Sequence, residues 1–305
     1  MTTPHGATRI KLASIIGLLL AAAGPAWGAP ITFNTALPVQ EDGWVLREQF
    51  VLSRNADDPD PAANRNMRAS GVVSILGYGV TRDFALFGVL PYLDKRLDVN
   101  AAGQRVTRRD DGFGDLTLIG RYTAYTRDAP GRTFRIAPFL GVKAPTGRDD
   151  ARDGLGRLPP TVQLGTGSWD FLGGAVVTHQ TLDWQVDAQL AYRANREANG
   201  VRFGDVGGLD ASLQYRLWPQ ELGSGVPAFL YGVLEANLVH AGKNRISGAR
   251  DPNSGGTTLF LSPGLQYVTK KWIVEAGVQV PVVQDLNGTA LKNDYIVNAG
   301  LRINI

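Results

Sequence analysis

From Gly43 onward, apolar and polar residues alternate with a period of two, and the 3.6-residue spacing of amphipathic helices is scarce. The clearest case is Asp183 to Ala194. There Trp184, Val186, Ala188, Leu190 and Tyr192 fall on one face, and Gln185, Asp187, Gln189 and Arg193 on the other. Trp272 to Val280 and Tyr295 to Ile305 repeat the pattern. Such alternation predicts strands with one apolar and one polar face.

Nine further segments read the same way: Gly43 to Arg54, Met67 to Gly79, Phe84 to Lys95, Gly114 to Tyr125, Thr133 to Lys143, Trp169 to Thr178, Asp205 to Leu217, Ala228 to Ala241 and Thr257 to Val268. About twelve strands result, an even number. Most exceed the usual length of globular strands and suit an oblique bilayer crossing. Two features resist the scheme. Pro91, Pro138, Pro263 and Pro281 fall inside strands, where each loses a ladder hydrogen bond and should mark a bulge or bend. Glu48 falls in phase with Trp44, Leu46, Phe50 and Leu52, which predicts a bulge or a shifted boundary there.

The connections alternate in length. Short turns lie at Val80 to Asp83, Arg127 to Gly131, Gln180 to Asp183 and Thr269 to Lys271, with a medium one at Pro219 to Val226. Long polar loops run at Asn55 to Arg65, Arg96 to Asp111, Ala144 to Val162, Asn195 to Gly204, Gly242 to Gly256 and Asp285 to Asp294. This is the arrangement of a closed antiparallel transmembrane β-barrel, with short periplasmic turns and longer extracellular loops. A soluble sandwich or lipocalin-like barrel would share the alternation but turn its apolar face inward. Aromatic residues near strand ends (Trp184, Tyr215, Trp218, Tyr267, Trp272, Tyr295) favour lipid outside.

The first 28 residues carry Arg9 and Lys11, then the apolar run Leu12 to Ala23, then Ala26-Trp27-Gly28, the layout of a secretory signal peptide cleaved after Gly28. The barrel domain is then 29–305, and the expected location is the outer membrane of a Gram-negative bacterium. Without Arg9 and Lys11, the 31 basic residues become 29, against 28 acidic ones. That balance gives nucleic-acid binding no support. The absence of cysteine excludes disulfides and thiolate chemistry.

The chain resembles the outer-membrane transporter-like family named for the meta-pathway of phenol degradation. The resemblance rests on Gly79-Val80-Thr81-Arg82-Asp83 before Val89-Leu90-Pro91-Tyr92, on Gly112-Phe113-Gly114-Asp115-Leu116, on Ala144-Pro145-Thr146-Gly147, on Leu164-Gly165-Thr166-Gly167 and on Gly204-Asp205. It implies a barrel for uptake of aromatic or other apolar small molecules, with no catalytic residues and no cofactor. Ile305 departs from the aromatic last residue common in outer-membrane barrels.

The polar faces supply the candidate lumen lining. Arg121, Arg135, Lys143, Asp187, Gln189, Arg193 and Asp210 belong to it, as do Gln214, Arg216, Glu235, Glu275, Gln279 and Arg302. Charges of both signs in a narrow lumen should pair with one another. Three interiors stay open: a filled structural one, a small polar path, or an aromatic pocket near Phe87, Phe139, Phe229 and Tyr231. His179 and His240 are expected at opposite rims, far from a catalytic arrangement. The acidic loop Arg148-Asp149-Asp150-Ala151-Arg152-Asp153, with its interspersed arginines, and the pair Asp110-Asp111 read as ion-paired loops rather than a Ca²⁺ site. The expected function is passive uptake of small, aromatic or hydrophobic solutes. The alternative is a non-transporting barrel for structure, adhesion or sensing through its loops, and an outer-membrane lipid enzyme ranks last. Expected partners are outer-membrane lipid, a small-molecule solute and the barrel-assembly machinery.

Overall fold

The computed structural model describes residues 29–305 apart from 102, 222–224 and 226–227, so the signal-peptide segment lies outside the described residues. Twelve strands form the barrel: β1 (Trp44–Asn55), β2 (Asn66–Gly79), β3 (Phe84–Ala101), β4 (Thr117–Tyr122), β5 (Arg132–Lys143) and β6 (Asp170–Thr181). They continue with β7 (Trp184–Ala194), β8 (Val206–Trp218), β9 (Ala228–Ala241), β10 (Gly256–Thr269), β11 (Trp272–Leu286) and β12 (Tyr295–Asn304). Each strand pairs antiparallel with its sequence neighbours. β12 returns to β1 from Val45↔Asn304 to Arg54↔Tyr295, which closes the cylinder and leaves no free edge.

The period-two pattern decides which face is out. Leu140, Leu190 and Leu118, 76%, 64% and 52% exposed, stand on the outer surface with Leu209, Leu234 and Leu265. A soluble protein would not leave such a continuous apolar belt uncovered, whereas lipid solvates it. Aromatic pairs edge the belt. Trp44 and Tyr78 (ring centroids 4.6 Å apart) and Tyr267 and Trp272 (5.6 Å) sit at the short-turn rim, and Tyr92 and Phe113 (5.2 Å) toward the long-loop rim. These are the interfacial girdles of a transmembrane barrel.

The four strand prolines each sit at an interruption of one ladder. Pro281 marks the register shift between Leu259 and Phe260, and Pro263 lies in the unpaired gap between Leu261↔Val280 and Gly264↔Gly277. Pro91 falls where β3 changes partner from Gln104–Phe113 to β4, and its carbonyl accepts the Gly114 N–H at 2.9 Å. Pro138 falls where β5 changes partner from β4 to Tyr125–Ala129. The missing N–H is placed where a bond is already forgone.

Three expectations are corrected. No bulge or boundary shift accommodates Glu48, since β1 pairs with β2 without a register break. Its carboxylate stands on the outer face and accepts the Ser74 hydroxyl at 2.7 Å, so a neighbouring side chain, not a backbone defect, satisfies it. The stretch 96–111 is no irregular loop: β3 runs on to Ala101 and Gln104–Phe113 pairs back along it, a hairpin that projects beyond the wall. The strand expected over Gly114 to Tyr125 is cut to Thr117–Tyr122, because Gly114 to Leu116 are diverted to bind a loop.

Candidate functional site

The lumen is filled by chain, not by side chains alone. Residues 29–39 cross it ahead of β1, with Ala29, Ile31, Phe33, Ala36, Leu37 and Val39 all buried. The alternating run Ile31-Thr32-Phe33-Asn34 through Val39 is strand-like in sequence, yet it joins no ladder. Lumen side chains therefore satisfy its backbone. Glu235, 1% exposed, accepts the Ile31 N–H at 2.7 Å, the Thr32 N–H at 3.1 Å and the Thr32 hydroxyl at 2.5 Å. Thr178 accepts the Ala36 N–H at 2.8 Å. Arg121 donates to the carbonyls of Thr35 and Leu37, and Arg47 to the carbonyl of Ile31. Gln266 exchanges both its amide groups with the backbone of Ala29.

This plug divides a polarised lumen. On β7 to β11 the inward face carries most of the hydrogen-bonded polar side chains, among apolar ones such as Val233, Phe260 and Ile273: Asp187 accepts from Gln185, Gln214 and, across on β6, Thr178, and Asp210 accepts from Gln189 and Asn237. On β1 to β6 they are largely apolar, with Val45, Ile75, Phe87, Ile119, Phe139 and Leu172 facing inward. Between plug and apolar wall runs a cavity of about 650 Å³, reaching from Gly43 and Asn304 at the short-turn end to Leu172 and Ala191 toward the loops. Its size and apolar lining are those of a small-molecule site.

The sequence-derived lining residues fall into five groups. Arg121, Gln189 and Arg302 border the cavity. Asp187, Asp210, Gln214, Glu235 and Glu275 belong to the polar wall, where Glu235 binds the plug directly and Glu275 acts on it through Arg47 and Gln266. Lys143 reaches Asp115 (2.5 Å) and Asp170 (2.9 Å) under the long-loop end. Arg216 pairs with Asp183, and Arg135 with Asp128 at 3.3 Å, both near the short-turn rim. Arg193 and Gln279 are in phase with the lumen, the first exposed near the loops and the second half-buried. Of the four aromatics expected to share a pocket, Phe87 and Phe139 do. Phe229 and Tyr231 pair with each other instead, Phe229 beneath Arg216. Sequence reasoning missed the plug, although its own period-two alternation was a signal, and it missed Arg47.

Three of the five glycine motifs prove to be one device. The Asp115 carboxylate accepts the Gly147 N–H at 2.9 Å and the Thr166 N–H at 3.0 Å while binding Lys143. Three motifs far apart in sequence thus meet at one carboxylate. Gly147 and Gly165 pack backbone against backbone there, and a Cβ on Gly165 would strike the Gly147 carbonyl. Phe203-Gly204-Asp205 repeats the logic: Asp205 accepts the Asn195 N–H (2.9 Å), the Tyr192 hydroxyl (3.1 Å) and Arg202. Both knots fold long loops over the mouth. There the short strands 197–198, 201–202, 245–246 and 249–250 make a four-stranded sheet.

The acidic loops are ion-paired. Asp110 binds Arg148, whose pKa is raised by that bond, and Asp153 binds Arg108 at 2.5 Å. His179 packs between Phe134 and Trp184, and His240 shares a 2.9 Å hydrogen bond with Thr257 near the other rim.

Among solved structures, an outer membrane channel from Pseudomonas putida F1 matches with a TM-score of 0.62 at 14% identity, covering 88% of this chain and 98% of that one. The β-domain of the Bordetella autotransporter BrkA matches at 0.46 and 14% identity, covering 87% of this chain and 100% of that one. The transport unit of the autotransporter AIDA-I from Escherichia coli matches at 0.43 and 12%, covering 87% and 90%. At such identities the likeness concerns the fold. A search of curated protein sequences finds no match to this chain. The profile of the family described as "Putative MetA-pathway of phenol degradation" matches residues 66–284, from the start of β2 into β11, and with it the glycine motifs that gather at Asp115 and Asp205. The chain belongs to that family, and its fold is that of an outer-membrane β-barrel.

Proposed function

We propose that this barrel is a passive outer-membrane channel that takes up small, apolar or aromatic solutes through the cavity beside the plug. The observation that carries the reading is the largely apolar side of the lumen, from Val45 and Ile75 to Phe139 and Leu172, which borders the cavity beside the plug. A purely structural interior would be packed to the density of a protein core, and a general diffusion pore would line its narrow part with charge on all sides. Here the polar wall is taken up in bonds to residues 29–39 and within itself, and the apolar wall faces open space.

Single-channel conductance of the refolded 29–305 chain in a planar bilayer tests this, with and without phenol. Small discrete openings that the aromatic blocks are expected. An inserted barrel that stays silent and binds no aromatic sinks the channel reading. It would turn attention to the sheet over the mouth as a binding surface.

A further inference from the structure

Of the three arginines around the cavity, two are committed. Arg47 donates Nε to Glu275 Oε1 at 2.8 Å and Nη2 to the Ile31 carbonyl at 2.5 Å. Arg121 donates to the plug and lies over the Phe87 ring, 4.9 Å from its centroid. Arg302 borders the same cavity, and its guanidinium makes neither a hydrogen bond nor an ion pair with any of the described residues, its backbone alone being held in the β1 and β11 ladders. Its register partner on β1 is Arg47, a like charge directly opposite. The lumen acids nearby are taken: Glu275 by Arg47 and Gln266, Asp187 by Thr178, Gln185 and Gln214, and Glu235 by the plug.

A guanidinium enclosed in a barrel beside another, with no acid of its own, is costly unless an anion meets it. Its planar fork matches a carboxylate in two parallel bonds. We infer that Arg302 is the anion anchor of a solute site, and that the preferred ligand is a small apolar carboxylate. Its charged end faces Arg302 and its hydrocarbon lies along Ile119, Phe139 and Leu172. Ligand class is thereby narrowed beyond "apolar or aromatic", and the inference rests on the channel reading above.

The test is equilibrium binding of benzoate and of benzamide, its neutral analogue of similar shape, to the refolded 29–305 chain in detergent. Arg302→Met and Arg302→Lys are measured alongside, with heat-modifiable gel mobility verifying that each variant is folded. Benzoate should bind about tenfold or more tightly than benzamide, the range of one charge-assisted hydrogen bond. Arg302→Met should bring the ratio to about one, and Arg302→Lys should retain part of it. If Arg302→Met does not fold, retention of part of the preference by Arg302→Lys supports the site and an unchanged preference overturns it. Equal binding of the two compounds, or a preference that survives Arg302→Met, overturns the anion site while leaving the apolar cavity in place. Binding of neither compound overturns both readings.

Discussion

Arg47 and Arg302 face each other across the β1–β12 seam, and only Arg47 holds a carboxylate, that of Glu275. The two should therefore respond oppositely to loss of charge. Arg47→Met strands a buried Glu275 and leaves the plug carbonyl of Ile31 to Gln49 alone. It should cost about 3 kcal/mol, as broken buried pairs do. Arg302→Met removes a repulsion and should leave stability within about 0.5 kcal/mol of the parent, the range of substitutions that break no partner. Urea unfolding in lipid vesicles reads both, and equal losses would show that Arg302 has a structural partner.

The plug is fastened most firmly at Glu235, through two backbone N–H groups and a hydroxyl. Glu235→Ala leaves those donors without partners, at about 1–3 kcal/mol each, inside a barrel whose wall ladders are unaffected. The expected result is a several-fold higher conductance with unchanged barrel assembly. Conductance equal to the parent would mean that residues 29–39 do not limit the path.

Lipid and lumen faces can be told apart by charge. Asp at Val186 or Leu190, both exposed on the outer surface, should slow assembly in vesicles, by about 1–2 kcal/mol in stability, less than Lys or Arg would. Asp at Gln279, which points into the lumen, should not. Gln189 is a poor control because it donates to Asp210 at 3.1 Å. By the same logic Glu48→Leu, which removes the lipid-facing carboxylate paired with Ser74, should stabilise the barrel.

The extracellular loops carry an acid limit. Burial alone would raise the pKa of Asp58, but hydrogen bonds from the Arg65 guanidinium and from the N–H groups of Arg65 and Asp60 bring it below its ordinary 3.8. A depressed carboxylate stabilises above its unfolded pKa and loses that contribution as pH falls through the folded value. Hydrogen-exchange protection of residues 56–65 should thus hold constant from pH 8 to 5 and fall only below about 3.8. Asp205, lowered by the same balance, should behave alike in the 195–205 loop. Loss of protection between pH 8 and 5 would exclude Asp58 as the clamp.

Strand number, the outward face and the alternation of short turns with long loops were legible in the sequence. All three follow from the two-residue repeat and from where Gly, Pro and polar clusters interrupt it. Even the four strand prolines signalled the ladder breaks that they occupy. Three things were decided only by the tertiary structure. Residues 29–39 fill the lumen because their backbone is satisfied by Glu235, Thr178, Arg47 and Arg121, partners up to about two hundred residues away that no local pattern reveals. Three of the glycine motifs converge on Asp115 because β4–β5 pairing sets Thr117 opposite Lys143 and the 144–169 loop folds back onto the turn before β4. And a list of polar lumen positions could not say that one wall would bond to itself and to the plug while the other lined a cavity. Nor could it say that Arg302 alone among the cavity's arginines would be left without a partner, since pairing in a closed barrel depends on neighbours across strands, not along them.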